Sequence, residues 1–381
     1  MLTSTWTSER RGLLCARIYC RQIRRCRRRS RRSRGSRRCS SHSCPSPRRV
    51  RGRSQAARAT SRRQAGSAPR SSPARRSPSP RRCSASSTSR SWTRKRHGSA
   101  SDGRAAEDHA MSPLDAPIVD AHSHTWSRAF RNDYDEAMAR AWGSGLVAIV
   151  EVGGSAESSE EAYAVAARDE RIHAVAGLHP HSAKDLPEQR EQLRDQALSG
   201  RFVGLGEMGL DFYRNLSPHD IQYEAFRFQL ELAREAELPV VIHSRDADEE
   251  CYDVIAEWAR RVGRYLGPDR EIGMMHCYAG DTELGERYRA LGFLLSIPGP
   301  VTYPGATRRQ DVARTAPLES LLVETDAPAL TPQSNLGSRN EPAYILETIA
   351  FVAQLRGDTP EHISRVTAEN AARLFDFELP S

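Results

Sequence analysis

His122, His124, Glu207, His243, His276 and Asp326 are the residues of this 381-residue chain whose types and spacing could hold metal ions and break a bond with water. Each stands at or near the end of an apolar run. A lone histidine at such a place is usually just a hydrogen-bonded polar residue, and that reading suits His173, His219 and His362. Six such residues in one ordered series need another account, because burying many polar groups together is costly unless something pairs them. A divalent cation does so, and imidazole with carboxylate suits zinc, manganese, iron or cobalt, with magnesium also a candidate. Six ligands exceed the needs of one tetrahedral ion. Two ions about 3.5–4 Å apart, sharing a carboxylate and a bridging water, would use them all.

The series begins in "PIVDAHSHTW", residues 117–126. Alternate residues of a strand point the same way, so Asp120, His122 and His124 are expected to share the inward face of a first strand. Seven further apolar runs follow: 145–154, 172–181, 202–211, 238–247, 272–280, 292–299 and 321–328. The segments between them have helical periodicity, clearest in "HDIQYEAFRFQLELAREAE" (219–237). Strand and helix in alternation predict a parallel sheet, and eight units in about 270 residues predict a closed (β/α)8 barrel of TIM type. A doubly wound open sheet is the competing architecture, but no glycine-rich phosphate loop follows the first strand. In a barrel all strand C-terminal ends meet at one face, where active sites lie. Histidines, Glu207, Asp211, Arg245, Glu324 and Asp326 would converge there.

Charge divides the chain in two. Residues 1–110 hold 31 basic and 4 acidic side chains, a net +27, whereas residues 111–381 hold 26 and 44, a net −18. The Arg/Ser-rich tail has almost no apolar periodicity and is expected to be disordered. A nucleic-acid-binding arm, a transit peptide, a solvated linker and upstream sequence translated by mistake all compete for it. The last is favoured. Arginine outnumbers lysine 30 to 1 there, six of the eight cysteines lie there without metal-like spacing, and Met111 opens "MSPLDAPIVDAHSH" just before the first strand. A chain shortened to begin at Met111 is expected to fold and keep full activity, and loss of either would refute the mistaken start. Residues 111–381 are then the hydrolase barrel. No run is apolar and long enough to span a membrane. The two remaining cysteines, Cys251 and Cys277, form no disulfide framework, which suits a reducing cytoplasmic setting.

The chain resembles the TatD family of metal-dependent hydrolases, often called TatD deoxyribonucleases, within the amidohydrolase-like barrels. The carrying stretches are "DAHSH", "GLHPH", "GLGEMGLDFYR", "RFQLELAREAELPVVIHSRDA", "MHCYAG", "LLVETDAPAL" and "SRNEPAY", spanning residues 115–378. The resemblance implies that His122, His124 and Asp326 hold one metal, that His243 and His276 hold the other, and that Glu207 bridges them. Asp326 is further implied as the base for the attacking water. The only lysines, Lys95 and Lys184, lie in the tail and in a loop, so no carbamylated lysine can take the bridging place. Ala279, Pro298 and the stretch "NLGSRNEP" depart from the usual family pattern without touching a ligand.

His179, His181, Tyr213, Arg214, Arg245 and Arg339 are candidates to hold substrate phosphates. Arg245 could instead pair with Asp246 or Asp248, and Tyr213 could simply pack. Asp120 and Glu324 are expected to orient metal ligands rather than bind metal. The implied activity is phosphodiester cleavage by a metal-activated water on DNA ends or single-stranded nucleic acid. The alternatives are an ester or amide hydrolase, such as a D-aminoacyl-tRNA deacylase, and a non-enzymatic metal-binding protein. An acidic body repels a polyanion away from the site, so contact with only a few nucleotides is expected.

Overall fold

The computed structural model describes residues 114–380. The tail of residues 1–110 and Met111 lie outside them. The strands are β1 (Ile118–Ser123), β2 (Leu146–Val152), β3 (Ile172–Ala176), β4 (Gly204–Asp211), β5 (Val240–Arg245), β6 (Gly273–Met275), β7 (Phe293–Ile297) and β8 (Leu321–Val323). Each falls inside or overlaps its apolar run. All seven successive pairings are parallel, in the order β1 to β8. Helices α1 (Tyr134–Gly143), α2 (Ala156–Ala166), α3 (Leu186–Leu198), α4 (His219–Ala236), α5 (Asp248–Val262), α6 (Thr282–Ala290) and α7 (Thr307–Thr315) connect them, and α8 (Ile345–Arg356) and α9 (Pro360–Phe375) follow. The expected TIM-type barrel is therefore the fold, and the open sheet is excluded.

Two apolar layers explain the closure. Val119, Ala148, Val150, Val175, Val241, Met274, Leu294 and Leu322 fill the interior together with Ala368, Ala371, Leu374 and Phe375 of α9. Phe375 lies against the start of β4 at Gly204, so α9 covers the N-terminal mouth. The other layer joins Ile149, Leu205, Ile242 and Leu295 to the helices. In α4, Phe226, Leu230 and Ala233 recur at steps of three and four, and all are buried there. The opposite mouth is left to polar strand ends.

The seam between β8 and β1 closes through the residues of interest. The Asp326 amide donates to the His122 carbonyl at 2.9 Å, and the His124 amide to the Ala327 carbonyl at 2.8 Å. Asp120 reinforces it, accepting from the Thr325 amide at 2.9 Å and the Thr325 hydroxyl at 2.5 Å.

Here one expectation is corrected. Asp120 does not share the inward face with His122 and His124. It pairs with Ile149, and Ser123 pairs with Glu151, so three steps on β1 match two on β2. This bulge breaks the alternation: Asp120 falls on the Ile149 side, while both histidine rings point inward. Bulges next to active sites re-aim side chains in this way.

Candidate metal centre

His122 and His124 leave the end of β1 with their Nε2 atoms 3.1 Å apart. Two imidazole nitrogens so placed either share a proton or turn both lone pairs to one cation. Glu207 Oε2 stands 3.5 Å from His122 Nε2 and 3.9 Å from His124 Nε2. Asp326 Oδ1 stands 3.7 Å and 3.2 Å from the same atoms. Ligands about 2.0–2.1 Å from a tetrahedral ion lie roughly 3.3–3.4 Å apart, so these spacings suit a divalent ion. Asp326 has φ 56°, in the left-handed region that aspartate tolerates better than most residues. In this conformation its carboxylate faces His122 and His124.

Glu207 Oε1 faces a different set. It lies 2.7 Å from His243 Nδ1, 3.5 Å from His179 Nε2 and 3.6 Å from His276 Nε2. The glycines of "GLGEMGLD" set this position. Gly206 and Gly209 have φ of 148° and 146°, and a Cβ on Gly209 would collide with the His243 carbonyl. Strands β4 and β5 therefore approach closely enough for Glu207 to reach His243.

Three donor groups have all their ligand atoms within 4.8 Å of one another: His122–His124–Glu207, His179–Glu207–His243 and His122–His276–Glu324. The arrangement differs from the resemblance: Asp326 is in none of these groups, and His276 groups with His122. His243 groups with His179, a residue expected to touch substrate, and not with His276. Glu324 is near enough to ligate, with Oε1 3.1 Å from His276 Nδ1. Its oxygens are engaged, however, by the Cys277 amide and the Ser296 hydroxyl, each at 2.6 Å. That favours the orienting role. Among the described residues the Asp120 carboxylate accepts from the His122 amide, at 3.3 Å, and from Thr325.

The remaining sequence candidates separate. His181 Nε2 lies 2.8 Å from Asp211 Oδ2, which is also 3.2 Å from His243 Nε2. Arg214 meets the site through its backbone, its amide donating to Asp211 Oδ1 at 2.7 Å. The Arg245 guanidinium covers the Tyr213 ring at 4.1 Å, and among the described residues neither Asp246 nor Asp248 pairs with it. Arg339 is engaged elsewhere: Asp133 holds it at 2.5 and 2.7 Å, and it lies over Phe130. His173, His219 and His362 serve locally, against Phe377, Phe212 and Asp358 respectively.

One residue, Glu151, escaped the sequence reading, and for Asp211 the reading gave the strand end but not its partners. Asp211 closes a strand end visibly, but its link between His181 and His243 depends on the fold. Glu151 is a lone acid inside "GLVAIVEVGG", which is the signal that could have found it. Buried, it accepts from the Thr125 amide at 2.8 Å and hydroxyl at 2.5 Å, fixing the residue next to His124.

Charge balance follows from these contacts. Burial opposes protonation of His124, but Asp326 and Glu207 outweigh it and push the ring up to about 9. His276 rises to about 10 against burial, through Glu324, Glu207 and Asp326. Burial lowers His122 despite the neighbouring Glu207, because the charges of His276 and His124 act with burial. Burial brings His179 down to about 4. Burial also works to raise Glu207, yet the His276 and His179 charges hold it well below the usual carboxylate range. Without metal, protonated rings thus neutralise the carboxylates, and metal must displace those protons. Zinc uptake at pH 7 should release at least one proton, and affinity should rise with pH toward 9–10 as His124 and His276 lose theirs. Calorimetry in buffers of different ionisation enthalpy measures this, and proton-independent binding would contradict it.

The profile of the TatD related DNase family matches residues 119–376. The metal-dependent hydrolase YabD of Bacillus subtilis, its function uncharacterised, is 36% identical over 260 residues, covering 68% of this chain and 98% of its own. The 3'-5' ssDNA/RNA exonuclease TatD of a Rahnella strain is 36% identical over 258 residues, covering 65% and 94%. Among solved structures, the TatD homolog YJJV of Escherichia coli superposes with a TM-score of 0.63 at 27% identity, covering 68% of this chain and 98% of that one.

Proposed function

Because the chain belongs to the TatD related DNase family of metal-dependent hydrolases, we propose that it is a dinuclear phosphodiesterase trimming single-stranded ends of DNA. The observation that carries this reading is the place of Glu207. One of its oxygens faces His122 and His124, and the other faces His243, His179 and His276, as a carboxylate shared by two ions requires. Zinc, manganese or magnesium ions held there would supply Lewis acidity and lower the pKa of water. The substrate class is supported by relatives named 3'-5' ssDNA/RNA exonuclease.

The chain's own groups divide the work. Asp326 is ionised at neutral pH, since the imidazoles of His124, His276 and His122 outweigh the effect of its burial, and it accepts the proton of the attacking water. Glu324 and Asp211 aim His276 and His243. His179, His181 and Arg245 line the way in. Arg339, paired with Asp133, has no part in it. Asp120 and Glu151 fix the segments that carry His122 and His124. Among the described residues no helix is long and apolar enough to cross a membrane. Cys251 and Cys277 are both free, as suits a reducing, cytoplasmic setting.

Incubating the metal-loaded protein with end-labelled single strands, blunt duplexes and carboxylic ester substrates, including a D-aminoacyl ester, tests the reading. Shortening of single strands is expected. Ester hydrolysis without any release of nucleotides would overturn it in favour of carbon chemistry at the same site.

A further inference from the structure

Large apolar side chains stand in solvent at three places among the described residues: Tyr213 at 60% exposure, Leu216 at 53% and Leu336 at 61%. Isolated exposed apolar residues are ordinary. Their placement here is not scattered. Tyr213 and Leu216 lie between β4 and α4, and Leu336 between β8 and α8. Both loops leave the C-terminal ends of strands that stand opposite one another in the ring. The exposed apolar surface thus gathers at the mouth that holds the metal ligands.

Tyr213 is also held for a purpose that packing does not explain. Its neighbour Phe212 turns inward and stacks on His219 with centroids 3.8 Å apart. Tyr213 points outward, and the Arg245 guanidinium covers one face of its ring at 4.1 Å. With most of the residue in solvent, the other face is open. The ladder fixes the height of this pair: Arg245 is the partner of Asp211, and the Phe212 amide donates to the Arg245 carbonyl at 2.9 Å. Tyr213 and Arg245 each lie two residues beyond Asp211 and His243. At about 3.3 Å per residue, the platform sits roughly 6–7 Å outward from the ligand His243.

We infer that Tyr213, backed by Arg245 and flanked by Leu216, is the stacking surface for the base of the terminal nucleotide of a single strand. This rests on the phosphodiesterase reading and adds to it a reason for single-strand selectivity. Aromatic rings and guanidinium planes stack unpaired bases without regard to sequence. A base in a paired end is tied to its partner strand and must be unpaired, at a cost of a few kcal/mol, before it can swing out onto Tyr213. The same platform makes the site indifferent to which base arrives.

Steady-state rates of the full chain on a single DNA strand, and on the same strand ending in an abasic nucleotide, test this. Base stacking on aromatic side chains has been worth about 1–3 kcal/mol, so the wild type should show a KM roughly 5- to 150-fold lower for the base-bearing end. Tyr213→Ala should bring the KM ratio close to one, and Tyr213→Phe should restore it, with the kcat ratio little moved. A terminal 2-aminopurine should lose fluorescence on binding the wild type and not on binding Tyr213→Ala. An unchanged KM ratio in Tyr213→Ala overturns the inference. So does a wild type that cleaves both strands alike, which leaves the phosphodiesterase reading in place. If the wild type cleaves neither strand, both fall together.

Discussion

Asp326→Asn should keep the fold and most of the bound metal while turnover falls about 10²–10⁴-fold, the contribution typical of a positioned general base. The substitution suits this position. Asn is close in size, keeps one oxygen ligand and, with Asp, is among the few residues that enter the left-handed region readily, where Asp326 sits at φ 56°. The turn around it is held by the backbone, through the Asp326 amide to the His122 carbonyl at 2.9 Å and the Ala329 amide to the Asp326 carbonyl at 2.8 Å. Neither bond needs the carboxylate. What is lost is the ability to take a proton beside His124, 3.2 Å away. His124→Ala, in contrast, should lose metal and activity together. Metal content and single-turnover rate on both variants decide the matter. A near wild-type rate for Asp326→Asn with its metal in place would rule out Asp326 as the base.

Glu207→Gln is expected to be more damaging. Both Glu207 oxygens are in use, one toward His122 and His124 and the other toward His243, His179 and His276. An amide presents one oxygen and one NH2, and the NH2 must then face imidazole nitrogens that should bind metal. Changes in residues that merely support metal ligands typically cost 10–100-fold in affinity or activity. Loss of the shared ligand should exceed that range in activity and lower the metal content as well. Lys184→Arg is the control. Lys184 is exposed on a short turn after β3, so neither metal nor rate should change. Full metal occupancy in Glu207→Gln would remove the bridging role, and metal loss in the lysine variant would revive a lysine-bridged scheme.

Much of this site could be read from the chain because a parallel barrel converts sequence order into convergence. His122, His124, His243 and His276 follow apolar runs, and the topology brings such ends to one mouth. What could not be read depends on pairing between strands. The slip that turns Asp120 away from His122 exists only in the register of β1 against β2. Arg339 looked like a free cation because Asp133, its partner, is 206 residues away in sequence. His179 and His243, whose ring centroids lie 4.5 Å apart, become neighbours only when β3 and β5 flank β4 in the ring. Asp211 takes its meaning from His181, on the loop after a different strand. Periodicity reports which face a residue prefers, and it is silent about partners brought together by the ring.

The seam between β1 and β8 has a temporal consequence. The amides and carbonyls that join the two strands belong to His122, His124, Asp326 and Ala327, and the Asp120–Thr325 clasp beside them spans 205 residues of chain. On a ribosome the first strand emerges long before its last partner exists, and contacts of such separation are slow to form. His124 therefore waits, without Asp326, until translation is nearly complete. A half-made barrel would hold only part of the proposed ligand set, and metal captured at the full set would select for the finished ring. The ions would act as a lock on the last joint to close, and the same joint would be the first to breathe when they leave.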